Sequence, residues 1–461
     1  MHPNKRRKCL LIASFLLLLL LSHHEVQHAS WRKSYNNHLL GKKRRKKKRI
    51  LWSTVNERIS DIQFRRMFRM NRSCFDSLCQ CIISKIGESK FKSESYIDAL
   101  KKNKDQMYDA NVKATGGYIS GEVKLAIALR MLAGGDSYDL AVIFDVHFDH
   151  CSRILQEVLL HWVIKTGIGD LNMVKYLGDK EAMARVSAGF SKRSNGVLIG
   201  AIGAIDGWLV RIVRPSWFRD RIKNPTTFFS RKGFFALNVQ CIVDDRKKVL
   251  WVSYSHKGGS HDSSCFRESK LYQFLQTVRE DLFNLGYYIL GDSAYAIESF
   301  ILTPYDGASP QTAEDDFNFY QSSARITVEC AFGEIDLRWG IFWKRLTCSL
   351  DHASVIIEGA MRLHNFIVDY RDENCNTDTG VKDWRIFTED ISNNGAMVMV
   401  VGDDQRHKGR ISNDEKEYRL KGLQLRDRLR ISLMNHDMRR AAREEWSGDE
   451  NNYVIRTLIN N

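Results

Sequence analysis

The 461-residue sequence contains no CxxC pair and no regular cysteine spacing; its ten cysteines fall singly at positions 9, 74, 79, 81, 151, 241, 265, 330, 348 and 375. That scatter argues against a zinc ribbon or a disulfide framework and predicts free thiols in a reducing compartment. No internal repeat is present, which sets repeat architectures aside. The apolar run from Leu10 to Leu21 is too short for a stable membrane span, although behind Lys5-Arg6-Arg7-Lys8 it has the shape of a secretory signal. Acids are scarce in the first fifty residues, where Glu25 alone faces fourteen Lys and Arg. That stretch therefore holds +13 of the formal charge of +15, and the rest of the chain is close to neutral at +2. A nucleic-acid surface on the body must come from the distribution of its charges, because the balance supplies no field.

What is present is ample apolar material. At 43% hydrophobic content the chain can bury a core, divided between one large domain and a smaller one. Residues 1–55 read as a basic flexible arm behind the apolar leader. Residues 56–190 read as a helical region, 191–370 as an α/β domain, and 371–461 as a polar tail with a late helix. The unbroken basic run from Lys42 to Arg49 is of the kind read by nuclear import machinery or drawn to phosphate. We expect the nucleus, with the secretory pathway as the alternative if the leader is used. Cleavage after the leader would leave nine cysteines, an odd number that suits a secreted fold poorly.

Between Ile59 and Ile86 apolar residues recur at three and four, which predicts two short helices hinged at Asn71-Arg72-Ser73, with Ser73 as a cap. A further helix starts at Ser120 and stops at Gly134-Gly135. Ser137 to Phe144, a break at Asp145-Val146-His147 and an amphipathic run to Leu159 then give short helix, tight turn and longer helix, the pattern of a helix-turn-helix. Plain bundle packing gives the same pattern. The turn has no glycine, but Asp145 tolerates the left-handed conformation. After residue 195 the texture becomes strand-like. An apolar run, Val197 to Ile205, ends at Asp206-Gly207, and Phe234 to Val243 with Val249 to Tyr254 predict a hairpin about Asp244-Asp245-Arg246. A helix over Phe266 to Val278, a strand ending at Gly291-Asp292, a short apolar stretch before Pro304 and a helix over Ser322 to Trp343 follow. A late helix is expected from Arg419 to Met438. The order implies a mixed sheet flanked by helices, as in RNase H-like α/β domains.

Asp206 and Asp292 are thus expected at the carboxyl ends of hydrophobic strands, with Asp262 in a Gly-rich loop before a helix and Glu329 on a later helix. Carboxylates that meet at strand ends repel one another unless a hard cation neutralises them. Oxygen-only ligands suit Mg²⁺ or Mn²⁺, and two such ions, about 3.5 to 4 Å apart, drive phosphodiester displacement. Taken singly, each acid is also an ordinary turn, cap or surface residue. Arg325, four residues before Glu329, can pair with it on the helix surface or meet a phosphate. His147, His150 and Cys151 could ligate zinc, but no fourth ligand stands at proper spacing. His261 could orient Asp262 or a water.

These residues resemble the PIF/Harbinger transposases and the nucleases derived from them, described as DDE superfamily endonucleases. The stretches that carry the resemblance are Ala204 to Gly207, Phe229 to Gly233 through Asn238-Val239-Gln240, Gly259 to Ser263, Leu290 to Tyr295, Ala324 to Glu329 with Phe332-Gly333, and Leu363 to Phe366, all in the family's order. The resemblance covers roughly residues 60 to 370, with Phe68-Arg69-Met70 and the Leu129 to Val146 block included. It implies an RNase H-like fold preceded by a helix-turn-helix, divalent-metal nuclease chemistry on DNA, and nuclear location. A separate Myb/SANT-type DNA-binding partner and homo-oligomers belong to the same set of expectations. Carried over to this chain, the implied metal ligands are Asp206, Asp262, Asp292 and Glu329. Asp206 and Asp292 would be shared by both ions, and Glu329 would hold one and help position the attacking water. Two departures stand out: Trp208-Leu209 where Thr-His is common, and Asp336 where a lysine usually follows the glutamate helix. The competing readings are a DNA- or protein-binding module without cleavage and a secreted metal-dependent phosphodiesterase.

Overall fold

The apolar runs after residue 200 pair into one sheet because each supplies a stretch that water cannot satisfy except at its edges. A computed structural model describes residues 50–88, 91, 119–194, 196–373, 413–436 and 438–440. All of these but Ile50 belong to one contact unit, comprising 51–97 and 119–461. The basic run, the apolar leader and most of the 87–104 loop lie outside the described residues.

Strands β1 (Ala201–Arg211), β2 (Ala236–Val243), β3 (Val249–Lys257), β4 (Tyr288–Leu290) and β5 (Ile301–Leu302) form a five-stranded sheet in the order β3-β2-β1-β4-β5. The β1–β2–β3 meander is antiparallel, and β4 and β5 run parallel to β1. This mixed sheet with flanking helices is consistent with an RNase H-like fold. β1 departs from its expected span. Gly200, at φ +98 with the carbonyl of Gly286 lying against it, delays the start of the strand. The β-prone run Trp208-Leu209-Val210 keeps pairing with β2 as far as Arg211↔Ala236. Asp206 therefore sits within a strand rather than at its end.

Among the described residues, six α-helices precede the sheet and two more lead into it. α1 (Trp52–Arg58), α2 (Asp61–Phe68) and α3 (Arg72–Ile86) close around the rings of Trp52, Phe64, Phe68 and Phe75, whose centroids lie 4.7 to 6.2 Å apart. The cap of α3 is Asn71, which accepts from the Cys74 N–H, and not Ser73. α4 (Gly121–Leu132) is capped by Ser120 as expected, and α5 (Ser137–Ile143) by Asp136. The chain then turns through Asp145 at φ 51 into α6 (Phe148–Glu157), capped by His147 and continued by a π-helical turn, Val158–Ile164. α7 (Met173–Leu177) and α8 (Lys180–Arg193) lead to β1.

After β1 comes a short helix, α9 (Trp217–Asp220). The helix expected at 266–278 is two: α10 (Asp262–Arg267) and α11 (Lys270–Asn284), divided because Ser269 caps the second through the Tyr272 N–H. The long helix α12 runs Ala313–Arg338 from a Thr312 cap, starting before and ending short of its expected bounds. α13 (Leu350–Glu373) follows, and the late helix α14 spans Asn413–Asn435. One hydrophobic core joins Ile202, Ile205, Ile242 and Ile289 of the sheet to Met173, Met183, Leu271, Leu275 and Phe300. α12 and α13 pack against the sheet from elsewhere, α13 pinned by Asn365. Its buried side chain accepts from the Val249 N–H at 2.8 Å and donates to the carbonyls of Val249 and Asp170 at 2.7 and 3.0 Å.

Asn365→Ala leaves three backbone groups without that partner, the two of Val249 buried, so denaturant unfolding should show a loss of about 3 kcal/mol. An unchanged unfolding midpoint would mean that water replaces the amide at no cost.

Candidate active site

Register decides which acids meet. In the parallel β1–β4 pair Ala204 lies opposite Leu290, so two residues further on Asp206, still within β1, and Asp292, just past the end of β4, lie at the same level. Gln321, on α12, donates to the Gly291 carbonyl at 2.7 Å and so fastens the loop that carries Asp292. Along the same helix, Arg325 and Glu329 follow at intervals of four, which lines one stripe with the groups that face this end of the sheet. The Asp292 carboxylate accepts from the Ala294 N–H at 3.0 Å, and Asp206 from the Gly207 N–H at 2.8 Å.

Asp262, the first residue of α10, is held by two side chains from β2. The amides of Asn238 and Gln240 both donate to its Oδ1 at 2.8 Å. Gln240 is oriented in turn by the Tyr295 hydroxyl, which donates to its carbonyl oxygen at 2.5 Å. Residues two apart on a strand share a face, so Asn238-Val239-Gln240 gives two such amides at once. The sequence flagged this tripeptide only through the family resemblance and gave no hint of its task. The glycine after Asp206 is equally required: a Cβ there would lie 2.3 Å from Asp262 Oδ1.

The fourth acid reaches the group through a cation. Arg325 pairs with Glu329 at 2.6 Å and with Asp206 at 3.3 Å, and its side chain is only 15% exposed, so this is not the surface pair expected from sequence. Burial opposes its charge, but Asp206, Glu329 and Asp292 outweigh that and hold it charged. Asp206 shows the opposite strain. Burial and the neighbouring charge of Asp292, with Asp262 adding to it, push its carboxyl up to about 7 against the pull of Arg325 and the Gly207 N–H. Burial also raises Asp292, with Asp262 adding to it, while Arg325, the Ala294 N–H and Arg231 pull it down. Asp206 and Asp292 therefore feel their acidic neighbours, and a single guanidinium balances part of the charge and joins Glu329 to Asp206.

The donor set is oxygen only, which fits Mg²⁺ or Mn²⁺ and not a soft metal. Among the described residues no three His, Cys, Asp or Glu side chains are already gathered as a metal cage, and Arg325 takes up the positive-charge role between Asp206 and Glu329.

The weaker candidates find other work. His147 caps α6 through the Asp149 N–H, and Cys151 is buried with its Sγ directed to the Ser137 carbonyl. The cysteines 74, 79, 81, 151, 241, 265, 330 and 348 are free. Trp208 stacks on Phe332, with centroids 5.8 Å apart, and meets Phe342 edge-on at 4.9 Å. Asp336 is not on an open surface: burial pushes its carboxyl up to about 6 against the pull of Arg211, and its Oδ1 is a buried atom without a hydrogen bond. No helix among the described residues is long and apolar enough to cross a membrane.

Residues 205–365 match the protein family described as DDE superfamily endonuclease. The chain is 23% identical over 323 residues to the Arabidopsis thaliana "Protein ALP1-like", covering 67% of this chain and 71% of that protein. It is 28% identical over 180 residues to the "Putative nuclease HARBI1" of Rattus norvegicus and of Mus musculus, covering 37% of this chain and 47% of each of those proteins. No solved structure matches the chain.

The raised Asp206 carboxyl has a sign that can be measured. Folding takes up a proton there, so its stabilising effect is complete below the ordinary carboxylate range and is lost as pH rises through about 7. Metal-free protein should lose up to about 4 kcal/mol of stability between about pH 4 and pH 7 from this group, and Asp206→Asn should flatten that slope. Equal slopes in the two proteins would mean that Asp206 ionises normally.

Proposed function

Because residues 205–365 match the DDE superfamily endonucleases, we propose that the chain is a divalent-metal-dependent DNA endonuclease that hydrolyses phosphodiester bonds. The observation that carries this reading is that Asp206 and Asp292 are both raised by burial with Asp262 beside them, while Arg325 pairs with Asp206 and with Glu329. Acids so arranged are costly to a fold that has no use for them. Asp206, Asp262, Asp292 and Glu329 would hold Mg²⁺ or Mn²⁺. When bound, such ions supply an activated water and neutralise charge on the leaving oxygen.

The chain's own residues prepare that chemistry. Asn238 and Gln240 fix the orientation of Asp262, so its carboxylate loses little freedom on engaging a ligand. Gln321 holds the Asp292 loop in register with β1. Glu329, kept in one rotamer by Arg325, is set to orient the water that attacks phosphorus. Arg325 lies where it can also meet a non-bridging phosphate oxygen.

Helices α4 to α6, with the tight turn at Asp145, are read as a helix-turn-helix that holds DNA away from the scissile bond. A nuclear location, a Myb/SANT-type DNA-binding partner and self-association complete this reading. The second reading is a domesticated module that binds DNA or protein without cutting. It is favoured by one observation: in the described residues the acids are balanced by Arg325 and not gathered as a preformed cage.

A cleavage assay separates them. Duplex DNA should be cut in Mn²⁺ and not in its absence, with Asp206→Asn and Asp292→Asn each lowering the rate by about 100-fold or more while folding is retained. Undiminished cutting by both variants removes the proposed site. Salt-dependent binding by the intact chain with no cutting in any divalent metal establishes the second reading.

A further inference from the structure

Between β1 and β2 the chain leaves the sheet from Ile212 to Phe235, and this excursion is charged unlike the rest of the body. It carries Arg214, Arg219, Arg221, Lys223, Arg231 and Lys232, all exposed, against the single acid Asp220. Asp220 is committed internally: it accepts from the N–H groups of Ser216 and Leu350 and pairs with Arg219. Among the described residues, the side chains of Arg214, Arg221, Lys223, Arg231 and Lys232 make no ion pair or hydrogen bond. The same stretch exposes large rings, with Phe218 at 91%, Phe229 at 49% and Trp217 at 47%. Bare aromatic rings interleaved with unpaired cations are expensive to leave in water, and the combination matches what a nucleic-acid strand offers: phosphates outside, base faces inside.

The excursion is fastened rather than loose. Its first turn bridges to the segment before α13, where Val213 N–H donates to the Leu346 carbonyl and Leu346 N–H to the Arg211 carbonyl, both at 2.9 Å. Its far end is tied to the loop that carries Asp262, since the Gly259 N–H donates to the Thr227 carbonyl at 3.0 Å. A Cβ on Gly258 would lie 2.7 Å from the Phe228 carbonyl, and one on Gly259 would lie 2.8 Å from that of Thr227, so the two glycines before Asp262 are what let the strands of chain lie together. At that end the charge of Arg231 reaches Asp292. That end of the excursion therefore borders the acids.

We propose that this excursion holds the DNA strand at the carboxylate site, with phosphates on Arg214, Arg221 and Lys223 and unpaired bases stacked on Trp217 and Phe218. The inference deepens the nuclease reading and rests on it for the identity of the nucleic acid. Stacking needs a base whose face is open, which a continuous duplex does not present, so the preferred substrate has unpaired bases beside the bond to be cut.

Fluorescence anisotropy of the full chain in EDTA tests this without cleavage, using a fully paired duplex and a forked DNA of the same sequence with unpaired arms. The double variant Trp217→Ala/Phe218→Ala should weaken binding to the fork by about tenfold or more and leave the paired duplex unchanged. Trp217→Phe should keep the fork preference. Arg221→Gln/Lys223→Gln should weaken both DNAs and lower the salt dependence of log Kd by between one and two. Fork binding as tight as the parent's in the aromatic variant overturns the proposal, as does an equal loss on both DNAs. The two readings fail separately: a chain that cuts DNA yet ignores these substitutions refutes the strand-holding surface alone. One that never cuts but loses fork preference refutes the nuclease alone.

Discussion

Asp206, buried beside the charges of Asp292 and Asp262, resists ionising unless a cation lies against it, and the arrangement of this domain follows from that constraint. Arg325 meets it in part, reaching Glu329 on its own helix and Asp206 on the central strand. The long helix must then lie across β1 at a fixed height, and Gln321, one turn before Arg325, sets that height by holding the Gly291 carbonyl. Gly207 keeps the space above β1 clear for Asp262, while Asn238 and Gln240 on the adjacent strand hold that carboxylate still. Each of these contacts is individually modest. Together they fix acids from four elements relative to one charge, which is the preorganisation that a polyvalent cation or a phosphate would otherwise have to impose at its own expense.

The features legible from the sequence were those decided locally. Ser120 caps its helix, and Asp145 takes the left-handed turn, because capping and positive φ depend on a few neighbouring atoms. The type and order of the strands could be read in advance. The stop of β1 could not: Asp206-Gly207 is locally a turn signal, but pairing with β2 carries the strand on to Arg211. Arg325 read as a surface partner of Glu329 because helix spacing shows the i to i+4 neighbour and not the strand beneath. The work of Asn238 and Gln240 was hidden for the same reason, since Asp262 lies more than twenty residues away in the chain. The divided helix at Ser269 and the cap at Asn71, one choice among several polar residues, were lost to competition between equally plausible local signals.

Two further elements frame the site. The β1–β2 excursion carries unpaired positive charge up to Arg231, whose charge reaches Asp292, so a polyanion lying along it would come near that acid. On the opposite side of the sheet order, α14 covers the edge strand. Gly422 lies against the backbone of Glu298, and Arg426 donates to the carbonyls of Thr303 and Pro304 at 3.3 and 2.9 Å. A two-residue strand left bare would invite pairing with another chain, and the late helix removes that opportunity.

Anomalous diffraction from crystals of the protein soaked in Mn²⁺ tests the account at its centre. It predicts a peak within bonding reach of the carboxylates of Asp206 and Asp292, with Arg325 drawn off Asp206 and still paired with Glu329. Crystals that take up Mn²⁺ elsewhere, or none at saturating concentration, while Arg325 stays on Asp206 would contradict it.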